Sequence, residues 1–226
     1  MNTNEEGRRF KKEETRTKKV TGIAIPVLVV IIFLLLYFLI NAVLSRPKAG
    51  DPGPFAGREA VDLSGYDSMA ELLYVSNPGN LNTKSMMVDT TVAEIVEMMK
   101  DKKTFVLFAS FENCPYCNRL IPYLNDALAK RGVYAGYLDT RKNPEWQNNM
   151  EIDDYDLFVR YFGEFLSLDA EGKKHLYTPD LYFVRNGRVV AHHQGVIEGA
   201  DDPDLPLTSE QEKMLYDLLD ECFGQL

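Results

Sequence analysis

Cysteine, histidine and tryptophan are scarce in this sequence, whose 226 residues include three cysteines, three histidines and one tryptophan. Three cysteines are too few to build a fold from disulfide bonds. The fold must therefore depend on an apolar core. A hydrophobic fraction of 45% is enough for one ordinary domain with some additional chain.

Positive charge is scarce in the larger part of the chain. Residues 45–226 contain 18 Lys/Arg and 30 Asp/Glu, a net charge of −12, whereas residues 1–20 contain seven Lys/Arg and four Asp/Glu, a net charge of +3. A domain this acidic repels a phosphate backbone, which argues against nucleic acid as a partner.

Charge of either sign is absent from residues 21–44, "TGIAIPVLVVIIFLLLYFLINAVL". As a helix these 24 residues span about 36 Å, which exceeds the roughly 30 Å of a bilayer core. A secretory signal peptide has a shorter apolar region of about 7–15 residues and a small-residue cleavage site, which is missing after this run. We therefore predict a single transmembrane helix over residues 20–44; a buried core helix and a cleaved signal peptide are the alternatives.

The charges beside this run predict its orientation. Seven Lys/Arg precede it, and only Arg46 and Lys48 follow it closely. Because Lys/Arg-rich flanks stay in the cytoplasm, residues 1–19 are predicted to form a cytoplasmic tail at the cell membrane, with the C-terminal domain outside. Residues 45–66 are rich in proline and glycine and predict a linker, so the folded extracytoplasmic domain is expected over residues 67–226.

The pattern of apolar residues predicts the order β-α-β-α-β-α-β-β-α after the linker. Capping boxes at Ser68–Glu71 and Thr91–Glu94 predict helix starts. The continuous apolar run Thr104–Ser110 is typical of a central strand that is buried on both faces, and the pair Asn186-Gly187 predicts a hairpin turn. This order predicts an α/β fold with a mixed central sheet and helices on both faces.

Two of the three cysteines, Cys114 and Cys117, have the spacing C-x-x-C. Zinc sites use the same spacing but need four ligands, and the remaining candidates, Cys222 and three scattered histidines, do not form a second pair. No metal is therefore expected. A permanent structural disulfide is a further alternative, although a loop this short gains little stability from cross-linking.

Redox chemistry fits the position of the pair better. The cysteines come directly after the predicted buried strand and open a helix, with Pro115 at its first position. Unpaired backbone N–H groups at a helix N-terminus stabilise a thiolate at Cys114. Cys117 lies one turn into the helix, where a second thiol is close enough to attack a mixed disulfide.

Three further landmarks accompany the cysteines. Pro122 falls five residues after the second cysteine, Pro179 comes eight residues before Gly187, and Gly195 comes eight residues after Gly187. With these features, residues 84–226 resemble the thioredoxin-like thiol–disulfide oxidoreductases.

The resemblance implies a thioredoxin-like fold in which Cys114 is the nucleophile and Cys117 the resolving thiol. It also implies a cis peptide bond before Pro179 and a substrate-binding role for the backbone of Thr178. The expected partners are protein thiols and disulfides, together with a protein that recycles the pair, and no bound cofactor is implied. Four further residues are expected to support the site: Glu112, Pro115, Tyr116 and Pro122.

The sequence departs from this family in three places. Phe108 stands where thioredoxins carry a buried acid, and Asn113 stands where a tryptophan is common. Glu112 lies nearby and is a candidate for proton transfer, with an exposed loop acid as the alternative. The chain before Pro179 is long for this family, so we expect a helical insertion over about residues 141–176 that covers the active-site face.

The predicted function is a membrane-anchored, extracytoplasmic thiol–disulfide oxidoreductase that acts on protein disulfides, either as a reductase or as an oxidase. Residues 105–124 are also similar, more loosely, to bacteriocin-transport accessory proteins, so a non-catalytic thioredoxin-like binding or secretion-accessory module is the alternative. Outside the cysteine pair, Cys222 is expected to be an apolar core residue. The acidic stretch Glu198–Asp204 is expected to be a solvated loop rather than a calcium site.

Overall fold

A computed structural model of the chain describes five ranges of residues: 28–37, 52–63, 84–111, 114–141 and 152–226. The chain divides into two units, Met1–Arg46 and Pro47–Leu226. In the first unit, residues 28–37 form a helix, α1, whose apolar side chains are exposed. The rest of the run predicted to cross a membrane lies outside the described residues. Within the described ranges, no helix combines the length and the apolar character that a membrane crossing requires.

In the described part of the second unit, strands and helices alternate before a final hairpin and helix. The elements along the chain are β1 (Met87–Asp89), α2 (Val92–Lys100), β2 (Phe105–Ser110), α3 (Pro115–Arg131), β3 (Ala135–Asp139), α4 (Ile152–Phe162), β4 (Ser167–Leu168), β5 (Lys174–His175), β6 (Asp180–Arg185), β7 (Arg188–Gln194) and α5 (Ser209–Gly224).

Five of these strands form one mixed sheet in the order β1-β3-β2-β6-β7. The strands β1 and β2 run parallel to β3, whereas β6 is antiparallel to β2 and β7 is antiparallel to β6. The short strands β4 and β5 pair with each other in a separate antiparallel hairpin.

The sheet separates two apolar clusters. All six residues of β2 are buried, because α3 and α5 cover one face of the sheet and α2 and α4 cover the other. Side chains of β6 alternate between the two clusters. Leu181 and Phe183 belong to the cluster on the side of α3 and α5, whereas Tyr182 and Val184 belong to the cluster on the side of α2 and α4. This arrangement confirms the predicted mixed sheet with helices on both faces.

Sequence signals at a helix start and a turn have their predicted effect. Thr91 and Glu94 form the capping box of α2, in which each side chain accepts a hydrogen bond from the other residue's backbone N–H. Asn186 and Gly187 form the turn between β6 and β7 with φ angles of 53° and 72°. A β-bulge near Phe183 shifts the pairing between these two strands.

Residues 52–63, which fall in the predicted linker, belong to the folded domain. Phe55 is fully buried, and Gly136 leaves the room for its ring, since a Cβ there would lie 2.5 Å from a ring carbon. The backbone N–H of Val61 donates to a carbonyl oxygen of β1 at 2.8 Å. The domain therefore begins earlier than predicted. The capping box predicted at residues 68–71 lies outside the described residues.

The predicted insertion is only partly helical, because α4 is followed by the β4–β5 hairpin. Phe158 and Phe162 stack with ring centroids 4.5 Å apart, and both pack on Tyr182. These aromatic contacts place α4 beside α2, in the apolar cluster that does not contain the cysteines. Helix α4 therefore does not cover the face that carries the cysteines, and residues 142–151 of the predicted insertion lie outside the described residues.

Gly187→Ala should lower the free energy of unfolding by about 2 kcal/mol or more, because left-handed backbone disfavours a side chain. An added Cβ would also overlap the carbonyl oxygen of Met99. Gly224→Ala is the matched control, since a Cβ there meets no atom within 4 Å, and its effect should stay below about 1 kcal/mol. Urea denaturation measures both variants, and equal stabilities would contradict the assigned turn.

Candidate active site

Cys114 and Cys117 form a disulfide bond at the start of α3, with their Cα atoms 5.2 Å apart. Pro115 occupies the first helical position, so that Cys114 is the N-cap residue of the helix and Cys117 lies in its first turn. Both cysteines are buried, with 2% and 0% of their surface exposed. The pair is therefore shielded from bulk water in its disulfide form.

Two hydrogen-bond donors face the sulfur of Cys114. The backbone N–H of Cys117 donates to Cys114 Sγ at 3.2 Å, and the Thr178 hydroxyl oxygen lies 3.8 Å from the same sulfur. In the dithiol form, these donors and the helix N-terminus favour a thiolate at Cys114. Cys114 is thus the sulfur that is equipped to act as a nucleophile.

The segment before β6 lies between β7 and the disulfide. The Thr178–Pro179 peptide bond is cis, which is the geometry that the resemblance implies. The backbone N–H of Gly195 donates to the carbonyl oxygen of Pro179 at 2.9 Å. Thr178 and Pro179, both predicted to contact substrate, are therefore held beside Cys114 by the end of β7.

The residues predicted to support the site have different surroundings. Tyr116 is 37% exposed, and its hydroxyl donates to the carbonyl oxygen of Asp201 at 2.8 Å. Pro115 is exposed, whereas Pro122 is buried inside α3. Glu112, the candidate for proton transfer, lies outside the described residues, as does the residue that follows it.

Apolar side chains share the cluster that contains the disulfide. Phe108 is fully buried and packs edge-to-face on Tyr137, so an aromatic ring occupies the position of the family's buried acid. Cys222 belongs to the same cluster, and burial raises the pKa of its thiol, which confirms the prediction of a core residue. Among the described residues, no group of three or more histidine, cysteine and acidic side chains is placed to hold a metal.

Arg119, which the sequence analysis did not single out, is a buried part of the site. Only 2% of its surface is exposed, and its Nη1 donates to the carbonyl oxygens of Ala200 at 3.2 Å and Asp202 at 2.6 Å. Arg119 therefore connects the loop after β7 to α3, the helix that carries the cysteines. No sequence pattern indicated this role, because arginine is seldom fully buried.

A buried carboxylate follows the cis-proline directly. Asp180 is 0% exposed; the Tyr182 hydroxyl donates to its Oδ2 at 2.5 Å, and Nε2 of His192 lies 2.6 Å from its Oδ1. Burial raises the pKa of Asp180, and the hydrogen bonds of His192 and Tyr182 offset part of that effect. Because these partners lie on the α2 and α4 side of the sheet, the carboxylate fastens the start of β6 from the face opposite the disulfide.

His193, the residue after His192 in β7, lies on the opposite face of the sheet, as the alternation of side chains along a strand predicts. Nε2 of His193 lies 2.9 Å from the carbonyl oxygen of Val196, and burial lowers the pKa of the imidazole, which favours its neutral form. His193 and Tyr116 line an open groove of about 420 Å³, whose other lining residues lie within residues 194–201.

No protein-family model matches the chain, and no curated protein matches its sequence. Several solved structures are similar to part of it. A protein assigned as an oxidoreductase with a thioredoxin fold has 14% sequence identity and a TM-score of 0.40, over 61% of this chain and 93% of that chain. Thioredoxin O2 from Arabidopsis thaliana, in its oxidized state, has 18% identity and a TM-score of 0.31, over 49% and 84%. Thioredoxin from Aeropyrum pernix has 19% identity and a TM-score of 0.31, over 55% and 82%.

The fold assignment rests on the geometry of the domain itself. A C-x-x-C disulfide lies at the N-terminus of α3, the helix that follows β2, and a cis-proline precedes β6. The sheet is parallel over β1, β3 and β2, and β6 and β7 extend it in antiparallel fashion. The domain has a thioredoxin-like fold. Its disulfide, cis-proline and open groove lie at one end of the thioredoxin-like domain.

Asp180→Asn should change how the stability of the domain depends on pH. The folded-state pKa of Asp180 lies above its ordinary value of 3.8, so the stability that this carboxyl contributes is full below pH 3.8 and is lost as pH rises through the folded pKa. Asparagine has the same shape and undergoes no such loss. Urea denaturation between about pH 3.5 and 8 should show that the stability of the variant, relative to that of the original protein, rises with pH.

An exposed carboxylate provides the control for this measurement. Asp217→Asn removes an acid on the surface of α5 beside Lys213. Because exposed ion pairs contribute little, the substitution should change the free energy of unfolding by less than about 1 kcal/mol. A relative stability of Asp180→Asn that does not rise with pH would contradict the raised pKa of this buried carboxyl.

Proposed function

We propose that this protein is a membrane-anchored, extracytoplasmic thiol–disulfide oxidoreductase that acts on protein disulfides through its C-P-Y-C dithiol. The observation that carries the proposal is the Cys114–Cys117 disulfide at the N-terminus of α3, with the Thr178 hydroxyl beside the first sulfur. Hydrogen-bond donors at a helix start stabilise a thiolate, which is the form of a thiol that attacks a disulfide.

In the reducing direction, the Cys114 thiolate attacks one sulfur of a substrate disulfide. A new S–S bond joins Cys114 to the substrate, the substrate S–S bond breaks, and the second substrate sulfur leaves as a thiolate that takes up a proton. The N–H of Cys117 and the hydroxyl of Thr178 stabilise the charge on Cys114 before the attack. The backbone of Thr178 offers hydrogen-bonding groups to an extended substrate segment.

Cys117 then resolves the mixed disulfide. Its thiol loses a proton, and the resulting thiolate attacks Cys114 Sγ, so that the Cys114–Cys117 bond forms again and the remaining substrate sulfur leaves as a thiolate. Two electrons pass from the dithiol to the substrate disulfide. Cys117 lies in the first turn of α3 with its sulfur against Cys114 Sγ, so the neighbouring sulfur is its partner.

The reduction potential of the pair decides which direction dominates. Pairs on this fold range from about −270 mV, typical of reductases, to about −120 mV, typical of oxidases. Equilibration of the protein in glutathione and dithiothreitol buffers measures the potential. A value near the first limit assigns a reductase that needs electrons from across the membrane, and a value near the second assigns a disulfide donor to secreted proteins.

The anchoring part of the proposal is supported by the uncharged run of residues 21–44 and by the excess of Lys/Arg that precedes it. Helix α1 lies inside this run. A position outside the cytoplasm also suits a disulfide, because cytosolic thiols are kept reduced.

A non-catalytic binding or secretion-accessory module is the alternative function. The open groove beside Tyr116 favours it, because a groove can hold a peptide whether or not the cysteines react. A variant with both Cys114→Ala and Cys117→Ala distinguishes the two functions in cells. A binding module keeps its cellular role in this variant, whereas an oxidoreductase loses it.

Cys114→Ser should reduce the turnover of a protein disulfide, such as that of insulin, to the background rate, because the attacking sulfur is lost. Cys117→Ser should still attack but should accumulate a mixed disulfide with the substrate, because the resolving sulfur is lost. Turnover assays and mass spectrometry measure these two outcomes.

Cys222→Ala is the matched control, because this cysteine is buried in α5 and takes no part in the disulfide. Its turnover should stay within about twofold of the original protein. Retained turnover in Cys114→Ser would overturn the catalytic assignment.

Deletion of residues 20–44 should move the protein from the membrane fraction to the soluble fraction. The full chain should resist extraction with alkaline carbonate, because about 20 apolar residues suffice for stable insertion. Protease added to intact cells or spheroplasts should cleave the C-terminal domain only if that domain lies outside. Carbonate extraction of the full chain, or protection of its domain, would contradict the anchoring proposal.

A further inference from the structure

We propose that the groove beside the disulfide binds an extended segment of the substrate protein that carries Lys or Arg next to its reactive cysteine. This inference rests on the proposed oxidoreductase function and adds a substrate class to it. The groove begins at Tyr116, between the two cysteines, and follows the backbone beyond the end of β7. A substrate cysteine at Cys114 therefore brings its neighbouring residues to this groove.

Hydrogen bonds from the active-site helix hold one wall of the groove. Arg119 binds the carbonyl oxygens of Ala200 and Asp202, and the Tyr116 hydroxyl binds the carbonyl oxygen of Asp201. From α5, the side chain of Gln211 donates to the carbonyl oxygen of Gly199 at 2.9 Å. A wall that is held at consecutive carbonyls needs little ordering when a peptide binds, so less binding free energy is lost.

The size of the groove fits a short stretch of polypeptide. Its volume of about 420 Å³ falls within the range of about 300–1,000 Å³ that ligand pockets occupy. The floor is formed in part by Val196 and Ile197, which offer apolar contact to the carbon chain of a long side chain.

The charge of the groove favours a basic occupant. The exposed residues Glu198 and Asp201 contribute two carboxylates, and no Lys or Arg lines the groove. Neither carboxylate takes part in the ion pairs of the described chain. His193 adds no charge in its neutral form, and the buried Arg119 behind the loop offsets one of the two negative charges. The groove is therefore a weakly negative surface that complements Lys or Arg.

Two short peptides test the proposal with the full-length protein in its dithiol form. They differ only at the two positions that flank a single cysteine, which are Lys in one peptide and Glu in the other. Each cysteine is blocked as a mixed disulfide with 2-mercaptoethanol, and kcat/KM is measured at about 0.05 M and about 0.5 M salt. The original protein should prefer the Lys peptide by about fivefold or more at low salt, and the preference should shrink at high salt.

A double variant, Glu198→Gln with Asp201→Asn, should remove most of this preference. The matched control is Asp156→Asn with Glu171→Gln, which removes the same charge from exposed residues that do not line the groove and should keep the preference. Equal kcat/KM for the two peptides in the original protein would overturn the proposal. A preference that survives in the groove variant would overturn it as well.

A binding measurement separates this proposal from the proposed function. The same two peptides with serine in place of cysteine are titrated against the oxidised protein, and fluorescence anisotropy reports their affinities. If the protein turns over neither peptide and also fails to reduce hydroxyethyl disulfide, the oxidoreductase function fails, whereas tighter binding of the Lys peptide still supports the docking surface. Equal affinities would overturn the docking surface even if turnover is normal.

Discussion

Burial of β2 on both faces is the constraint on which the cysteine site depends. The strand has helices on each side, and the chain that leaves it enters α3, which covers one of those faces. Because the helix begins at this point, its unpaired N–H groups lie beside the first cysteine. The surroundings of Cys114 are thus a consequence of core packing, since the contacts that hold β2 in the sheet also place a helix N-terminus at the sulfur.

Buried polar side chains hold the irregular segments around the site in place. Arg119 donates to two carbonyl oxygens in the loop after β7. Asp180 contacts the hydroxyl of Tyr182 and the imidazole of His192. Each loses hydration on burial, and hydrogen bonds offset that loss. Both side chains act where backbone pairing ends, one at the loop after β7 and the other at the start of β6, so they replace the hydrogen bonds that regular structure would have supplied.

Local sequence signals were enough to predict the sheet and the cysteine-bearing helix, because each depends on residues close together in the chain, whereas the cis-proline was implied only by the resemblance to thioredoxin-like proteins. The linker was predicted too long, since proline and glycine indicate turns but do not show that Phe55 fills a space above Gly136. The aromatic stripe of α4 predicted a buried face without naming the neighbour that covers it. The contact of Asp180 with His192, 12 residues apart, depends on the pairing of β6 with β7 and on a bulge that no local pattern reveals.

That bulge divides the β6–β7 hairpin into two parts whose pairing registers differ by one residue. Near the turn, the pairing is set by Asn186 and Gly187; nearer the disulfide, it is set by Tyr182 opposite His192. The extra residue of the bulge therefore lets the tight turn coexist with the two histidines on their own faces, one toward the buried carboxylate and the other toward the groove. Without that residue, β7 would shift by one position against β6, His192 would stand opposite Leu181, and the two histidines would exchange faces.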